Sequence, residues 1–341
     1  MGAVYGTFVT CEARQLARRE GLCRVGIGSA LAKRIAFVFP GQGSQYVGMG
    51  KGLYEASIAA RRVFEQADDV LGFSLSSLCF HGPADELDDT VNAQPAILTV
   101  SLAYLEALKE RWTVLGHPII KPDVVAGHSL GLFTALVAAG VLDFSDALNL
   151  VRERGRLMKE SGTQTPGGMA AILGMEREAL EEVCAEAGAV GIVVVANDNC
   201  PGQSVISGEV RALERAMELA QERGARRVVR LDISIASHSP LMERAGQQLA
   251  ELTSHMHFRD PQVPIIGNIT GQMMTTVDDI RREIAQHVVR PVQWTSAVRE
   301  MVNNGVGTFL EVGPGNVLGG LIRRIRGDVQ VIGPKDFGLA G

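Results

Sequence analysis

Two short segments predicted to be buried strands, the first of them a continuous apolar run, constrain the fold of this chain more than any other feature, and a helical pattern follows each. The first segment covers residues 35–39 and stops at Pro40-Gly41, and a helical pattern follows over residues 53–71. The second covers residues 122–126, and an apolar helical pattern follows over residues 130–139. Short continuous apolar runs are typical of strands buried on both faces of a parallel sheet. With a further helix expected over residues 94–112, this alternation predicts an α/β layer fold with a parallel sheet.

The middle of the chain has a different order of elements. Strand patterns cover residues 169–173, 192–196, 204–207 and 227–233, and helical patterns cover residues 176–187 and 210–223. The resulting order, β-α-β-β-α-β, is the split, ferredoxin-like arrangement, which can form a small domain of its own.

Alternating strands and helices resume after this unit and end with a strand at residues 308–312 and a Gly313-Pro314-Gly315 turn. We therefore expect a large α/β domain of residues 35–163 and 235–330, interrupted by a small inserted domain of residues 164–234. Residues 331–341 are expected to form a tail.

Composition excludes several classes of function. The 341 residues are 46% hydrophobic and carry a net charge of −5, so no global basic surface exists to attract nucleic acid. The uncharged apolar stretch of residues 130–142 is shorter than the roughly 18–20 residues that a bilayer requires, so no membrane partner is expected. Five scattered cysteines without Cys-x-x-Cys spacing suggest neither a disulfide framework nor a metal site, which favours a reducing cytoplasm.

The N-terminal residues 1–34 differ in charge from the rest of the chain. They contain six Lys or Arg residues and two acidic residues, a charge of +4, and no apolar segment long enough for a secretory signal. A transit-like peptide and a basic interaction tail both fit this pattern, but we expect a poorly ordered basic extension.

The motif Gly127-His128-Ser129-Leu130-Gly131 is the strongest indication of chemistry. It fits Gly-x-Ser-x-Gly and lies between a predicted buried strand and an apolar helix. In such a turn the serine stands above the sheet, and side chains at the glycine positions would collide with neighbouring backbone. The N-terminus of the following helix can stabilise a developing oxyanion. Ser129 is therefore the candidate nucleophile.

A serine nucleophile needs a base, and the chain has seven histidines. His128 is next to Ser129 in the same tight turn, so its side chain should point away from the serine hydroxyl. His238 lies just after the last strand of the predicted insertion, where the chain re-enters the large domain. We expect His238 to be the base.

Six short sequence blocks, taken in their order along the chain, resemble those of the malonyl-CoA:acyl carrier protein transacylases and of the acyltransferase domains of fatty acid and polyketide synthases. The resemblance covers residues 34–330 and implies an α/β-hydrolase-like domain with a ferredoxin-like insertion. The blocks lie at residues 37–45, 127–131, 152–155, 237–238, 291–294 and 311–315.

The resemblance implies a role for each matching residue in a two-step acyl transfer. Ser129 would carry the malonyl ester, and His238 would take the serine proton and later activate the incoming thiol. The family has no carboxylate third member, and the backbone carbonyl of Gln293 would orient the imidazole.

Further roles implied by the resemblance concern the oxyanion and the acyl group. Gln42, together with the backbone N–H of Leu130, would form the oxyanion hole. Arg154 would bind the free carboxylate of the malonyl group through two parallel hydrogen bonds. The implied partners are malonyl-CoA and an acidic acyl carrier protein, and neither a cofactor nor a metal is needed.

Two departures from the family pattern leave alternatives open. Leu132 stands where the family usually has a glutamate, and residues 235–238 match only the last three positions of the Tyr-Ala-Ser-His signature of methylmalonyl-selective polyketide domains. We expect a malonyl transferase of fatty acid synthesis. The alternatives are a discrete acyltransferase serving polyketide synthesis with malonyl or methylmalonyl groups, a serine esterase with an Asp or Glu third member, and a non-catalytic binding module.

Overall fold

The computed structural model describes residues 34–339. The predicted N-terminal extension therefore lies outside the described residues, except for Arg34, which begins the first strand. The strands are β1 (Arg34–Phe39), β2 (Val124–Gly127), β3 (Gly167–Leu173), β4 (Val193–Cys200), β5 (Gln203–Glu209), β6 (Arg227–Arg230), β7 (Ile265–Ile266), β8 (Met273–Met274), β9 (Val292–Gln293), β10 (Val306–Glu311) and β11 (Gln330–Ile332).

The α-helices lie between these strands, with five in succession between β1 and β2. They are α1 (Lys51–Ala56), α2 (Ile58–Leu71), α3 (Leu75–His81), α4 (Ala84–Asp88), α5 (Thr90–Val114), α6 (Gly131–Ala138), α7 (Phe144–Gln164), α8 (Arg177–Ala187), α9 (Val210–Glu222), α10 (Glu243–Ser254), α11 (Val277–Gln286), α12 (Trp294–Asn303) and α13 (Val317–Ile325). Short 3-10 turns lie at Gly188–Val190, Pro240–Met242 and Pro334–Phe337.

A six-stranded sheet in the order β11-β10-β1-β2-β7-β8 forms the centre of the larger part of the molecule. Its strand pairs are parallel, except that β8 runs antiparallel to β7 at one edge. Both predicted strands are buried and central, but the second begins at Val124 and not at residue 122. Phe39 at the end of β1 pairs with Gly127 at the end of β2. The loops that follow these two strands therefore lie side by side at the carboxyl edge of the sheet.

A second sheet has the order β6-β3-β5-β4-β9. Its first four strands are antiparallel neighbours and come from one continuous β-α-β-β-α-β stretch, in the predicted order. Helices α8 and α9 bury Leu180 and Leu213 in the same apolar cluster as Ile206 of this sheet. Strand β9 comes from a later part of the chain and pairs in parallel with β4. The described chain is thus a mixed α/β fold with two sheets.

Two element predictions need correction. The helix expected over residues 53–71 is interrupted at Ser57, whose backbone is extended and whose hydroxyl oxygen accepts a hydrogen bond from the Ala60 amide at 3.0 Å. Serine competes with the helix in this way and starts a new one. The tail expected from residue 331 begins later, because Val331 and Ile332 extend the first sheet by pairing with Phe309 and Leu310.

Within residues 34–339, no helix combines the length and the apolar character that crossing a bilayer would demand.

Candidate active site

Ser129 lies in the turn between β2 and α6, at the carboxyl edge of the first sheet. Its φ is 49°, in the left-handed region that residues other than glycine seldom adopt. A Cβ on Gly127 would lie 1.8 Å from the carbonyl carbon of Gly131, and a Cβ on Gly131 would lie 2.1 Å from the carbonyl oxygen of Phe39. The neighbouring backbone thus leaves no room for a side chain at either glycine of the motif. The turn places Ser129 in the lining of a cavity.

His238 is the histidine that contacts Ser129. Its Nε2 lies 2.8 Å from the Ser129 Oγ, and its Nδ1 lies 3.1 Å from the carbonyl oxygen of Arg290. A carbonyl oxygen can only accept a hydrogen bond, so Nδ1 carries the proton and Nε2 is left to accept the proton of the serine. This is the tautomer that a general base requires.

The carbonyl that orients His238 belongs to Arg290, so the assignment to Gln293 is wrong. Gln293 is part of β9, where it pairs with Asp198 of β4 and donates its amide N–H to the Asn268 carbonyl oxygen at 2.7 Å. Its side-chain oxygen accepts a hydrogen bond from Arg177. These contacts commit Gln293 to the second sheet, and the Arg290 carbonyl lies against the imidazole instead.

The environment of His238 keeps the imidazole neutral. Burial, together with the positive charge of Arg154, lowers the pKa of His238 to about 3, although hydrogen bonds to backbone carbonyls act in the opposite direction. The side chain is only 2% exposed. A neutral imidazole at neutral pH is able to take up the serine proton.

His128 is directed away from the Ser129 hydroxyl, as its place in the tight turn predicts. Its Nε2 lies 2.8 Å from Asn199 Oδ1, and its ring packs edge-on against Trp294 at a centroid distance of 5.6 Å. Burial lowers the pKa of His128. The residue therefore supports the turn.

Arg154 is a buried cation beside Ser129. Its side chain is 1% exposed, its Nη1 donates to Gln94 Oε1 at 2.7 Å and its Nη2 donates to Ser129 Oγ at 3.2 Å. Its Nε has no hydrogen-bond partner among the described residues, and the neighbouring Glu153 pairs with Arg156 instead. Burial lowers the pKa of Arg154 to about 9, which leaves the guanidinium charged at neutral pH. The site thus holds a positive charge without a described carboxylate to balance it.

A chain of hydrogen bonds connects Arg154 to Gln42. Gln94 donates from Nε2 to the Thr90 Oγ1 at 2.9 Å, and the Thr90 hydroxyl donates to Gln42 Oε1 at 3.1 Å. The Gln42 oxygen accepts from this hydroxyl, and no described residue accepts a hydrogen bond from Gln42 Nε2, so that this nitrogen is available as a donor. Leu130 directly precedes α6, at the positive end of that helix.

These side chains surround one cavity of about 280 Å³. Its lining includes Gln42, Ser129, Arg154 and His238, together with residues of the second sheet such as Val205. The arrangement combines an activated hydroxyl with a charge suited to an anionic group. It can transfer an acyl group that carries a second, negatively charged end.

Comparison with known proteins decides the family. Residues 36–329 match the acyl transferase domain family. The chain belongs to that family. The resemblance inferred from the six sequence blocks is therefore confirmed.

Several relatives of this acyltransferase are similar over most of their length. The malonyl CoA-acyl carrier protein transacylase of Bacillus subtilis is 46% identical over 304 residues, covering 89% of this chain and 94% of the relative. The protein of the same name from Escherichia coli is 41% identical over 292 residues, covering 86% and 93%.

Solved structures give the same result. The malonyl CoA-acyl carrier protein transacylase of Coxiella burnetii has a TM-score of 0.85 and 38% identity, covering 90% of this chain and 95% of that one. A malonyl-transacylase solved in complex with a type II PKS acyl-carrier protein has a TM-score of 0.83 and 39% identity, covering 88% and 95%.

Four polar residues at or behind the site of this acyltransferase were not found by sequence reasoning: Gln94, Asn199, Asn268 and Glu283. Gln94 is the one with a signal, since it is an amide in an otherwise apolar helical stretch and is completely buried. Asn199 lies in strand β4, Asn268 in the turn after β7 and Glu283 in helix α11, and none of these segments carries a comparable sequence pattern. Each acts through a partner far away along the chain.

The family departure at Leu132 is accommodated by apolar packing. Leu132 lies in the first turn of α6, is fully buried and belongs to the main apolar cluster together with Phe133. A glutamate is not needed to complete this part of the core.

Proposed function

We propose that this acyltransferase moves a malonyl group from malonyl-CoA to the phosphopantetheine thiol of acyl carrier protein and so supplies fatty acid synthesis. One observation carries the proposal. Arg154 is a buried, charged guanidinium that lacks a described carboxylate partner and lies 3.2 Å from the nucleophile. A malonyl group esterified to Ser129 has a free carboxylate that can occupy this place. The curated relatives are named for the same reaction.

The first half-reaction loads the enzyme. His238 Nε2 accepts the proton of the Ser129 hydroxyl while Oγ forms a bond to the thioester carbonyl carbon of malonyl-CoA. The resulting oxyanion receives hydrogen bonds from Gln42 and from the Leu130 amide at the start of α6. When the carbon–sulfur bond breaks, His238 returns its proton to the departing thiol, and malonyl-Ser129 remains.

The second half-reaction reverses these steps with a different thiol. The carrier protein's thiol gives its proton to His238 and attacks the ester carbonyl, and the same donors stabilise the second oxyanion. The carbon–oxygen bond to Ser129 then breaks, and Oγ takes the proton back from His238. The Arg290 carbonyl accepts a hydrogen bond from Nδ1–H throughout, so the tautomer needed for both halves is maintained.

Contacts of the base favour this reading over a serine esterase. A typical esterase triad places an Asp or Glu against Nδ1, whereas a backbone carbonyl occupies that place here. An esterase also has no use for an unbalanced buried arginine at the acyl group. A non-catalytic module would have no reason to hold Ser129, His238 and Arg154 in contact.

We also infer the finer organisation of the chain. The larger unit, residues 35–163 and 235–330, is an α/β-hydrolase-like domain, and residues 164–234 form a ferredoxin-like insertion in it. The strand order β6-β3-β5-β4 supports the second assignment. A cytoplasmic location is in keeping with the scattered cysteines.

The experiment is to incubate the full chain with malonyl-CoA and to measure its intact mass, followed by peptide mapping. We expect the protein to gain one malonyl group, on Ser129, and to lose it when holo acyl carrier protein is added. Ser129→Ala should gain none. A wild-type protein that hydrolyses malonyl-CoA without passing the group to the carrier would contradict the proposal and favour an esterase. Methylmalonyl-CoA and a polyketide carrier protein, supplied in parallel, test the alternatives directly.

A further inference from the structure

Asn268 connects the two sides of the turn that holds Ser129. Its Oδ1 accepts a hydrogen bond from the Ser129 amide at 2.7 Å, and its Nδ2 donates to the Gly127 carbonyl oxygen at 2.8 Å. The side chain is 3% exposed, so these bonds have little competition from water. One amide group therefore binds the backbone on either side of His128.

Glu283 of α11 holds Asn268 in turn. Its Oε1 accepts from the Asn268 amide at 2.8 Å and from the Ile269 amide at 3.2 Å. Glu283 is 6% exposed, and no ion pair with a described lysine or arginine balances its charge. A Cβ on Gly267 would lie 2.8 Å from Glu283 Oε2, so only glycine allows the loop to pack this tightly on the carboxylate.

The same segment also holds the base. After the end of α11 the chain continues to Val288, whose carbonyl oxygen accepts from the His238 amide at 2.8 Å, and to Arg290, whose carbonyl faces His238 Nδ1. The helix that carries Glu283 is thus connected to the nucleophile through Asn268 and to the base through its own C-terminal extension.

Strain explains why such support is needed. Ser129 and His238 are the two residues other than glycine with positive φ among the described residues, at 49° and 58°. Backbone conformations of this kind persist only where the surrounding structure enforces them. A buried carboxylate without a cation is itself unfavourable, so its presence behind the nucleophile indicates a use.

We propose that Glu283 is a positioning residue for the acyl-transfer reaction, acting through Asn268 to hold the Ser129 backbone where its hydroxyl meets His238. This inference rests on the proposed function of Ser129 as the nucleophile. Glu283 does not touch the substrate. Its effect should therefore be on the rate of Ser129 acylation and not on the KM for malonyl-CoA.

The test is a double-mutant cycle with Glu283→Gln, Asn268→Ala and the two combined, in which the rate of malonyl-enzyme formation is measured by rapid quench. We expect Asn268→Ala to slow acylation by about 10- to 100-fold, because a misplacement of roughly 1 Å can cost about that much. Glu283→Gln should slow it less, with KM unchanged. The double variant should match Asn268→Ala alone, because Glu283 acts through Asn268.

Glu311→Gln is the matched structural control. Glu311 is a buried carboxylate as well, and it accepts from the Leu318 and Gly319 amides at 2.9 and 2.8 Å without contacting the Ser129 turn. We expect this variant to melt at a lower temperature but to acylate at the wild-type rate. If Glu283→Gln does not fold, Glu283→Asp, which keeps the carboxyl group on a shorter arm, replaces it in the cycle.

Two results would overturn the proposal: folded Glu283 variants that acylate at the wild-type rate, or effects that multiply in the double variant. A second readout, sulfonylation of Ser129 by phenylmethylsulfonyl fluoride, separates this failure from failure of the proposed function. If the wild type reacts with the fluoride but takes no malonyl group, the proposed function is wrong. The cycle is then scored on the rate of sulfonylation.

Discussion

Replacing Arg154 with alanine should change which acyl group the enzyme accepts. The malonyl group differs from the acetyl group by a carboxylate, and the cleft offers that carboxylate a guanidinium that is 1% exposed and has no described acidic partner. Removing one member of a buried charge pair typically costs about 2–5 kcal/mol. At about 1.4 kcal/mol for each factor of ten, malonyl transfer should fall by roughly 30- to several-thousand-fold. Acetyl transfer should stay the same or rise, because an acetyl group leaves the arginine unpaired.

The assay compares kcat/KM for malonyl-CoA and acetyl-CoA in the wild type and in Arg154→Ala. Arg156→Ala is the matched control, since Arg156 lies on the same helix but is exposed and paired with Glu153 at 2.7 Å and Glu160 at 3.0 Å. We expect it to leave the malonyl-to-acetyl ratio unchanged. An equal loss for both acyl groups in Arg154→Ala would refute the reasoning, because it would mean that Arg154 maintains the cleft and does not select the substrate.

Three further predictions concern the base, the core and a buried acid. His238→Ala should slow both half-reactions by roughly 10²–10⁴-fold, and a variant with the wild-type pH–rate profile would exclude His238 as the base. Leu132→Glu should lower the free energy of unfolding by about 3–5 kcal/mol, because it buries a charge in an apolar cluster. Urea denaturation measures this change. A variant that unfolds at the wild-type urea concentration would show that the fold supplies a partner for the glutamate. Burial raises the pKa of Glu283 to about 7 from an ordinary value of 4.5, so unfolding releases a proton at pH values between these two. The wild type should therefore lose roughly 2–3 kcal/mol of stability as the pH rises from 5 to 8. Glu283→Gln should not show this loss. If urea denaturation gave the same pH dependence of the free energy of unfolding for both proteins, Glu283 would not be the group that titrates.

Local sequence pattern was sufficient to predict the elements that position Ser129. The segments at residues 35–39 and 122–126 could be identified as buried strands because parallel strands need apolar side chains on both faces, although the second strand begins only at Val124. The glycines at 127 and 131 could be identified because a tight strand-to-helix turn excludes a Cβ. The break at Ser57 could not, since serine is also tolerated inside helices, and only its bond to the Ala60 amide decides the matter.

The carbonyl that accepts a hydrogen bond from His238 could not be predicted from the sequence, because it belongs to a distant part of the chain. Arg290 and Gln293 lie three residues apart, and the sequence contains nothing that shows which carbonyl faces an imidazole 52 residues earlier in the chain. The pairing of β9 with β4 determines it, because that pairing uses the backbone of Gln293. A one-residue change in that register would present a different carbonyl to His238.

For a buried polar side chain, the residue type predicts that a hydrogen bond is made, but only the fold determines its partner. Gln94 lies in an apolar helix, and an unpaired amide there would be costly, so its presence alone predicts a hydrogen-bond partner. That partner is Arg154, which lies 60 residues away along the chain. Its identity follows only from the packing of α5 against α7. The bond between Asn268 and Gly127 joins residues 141 positions apart in the same way. Ser129, Arg154 and His238 are therefore held by contacts that no local segment encodes, so substitutions at Gln94, Asn268 or Glu283 should impair the proposed site without touching the substrate.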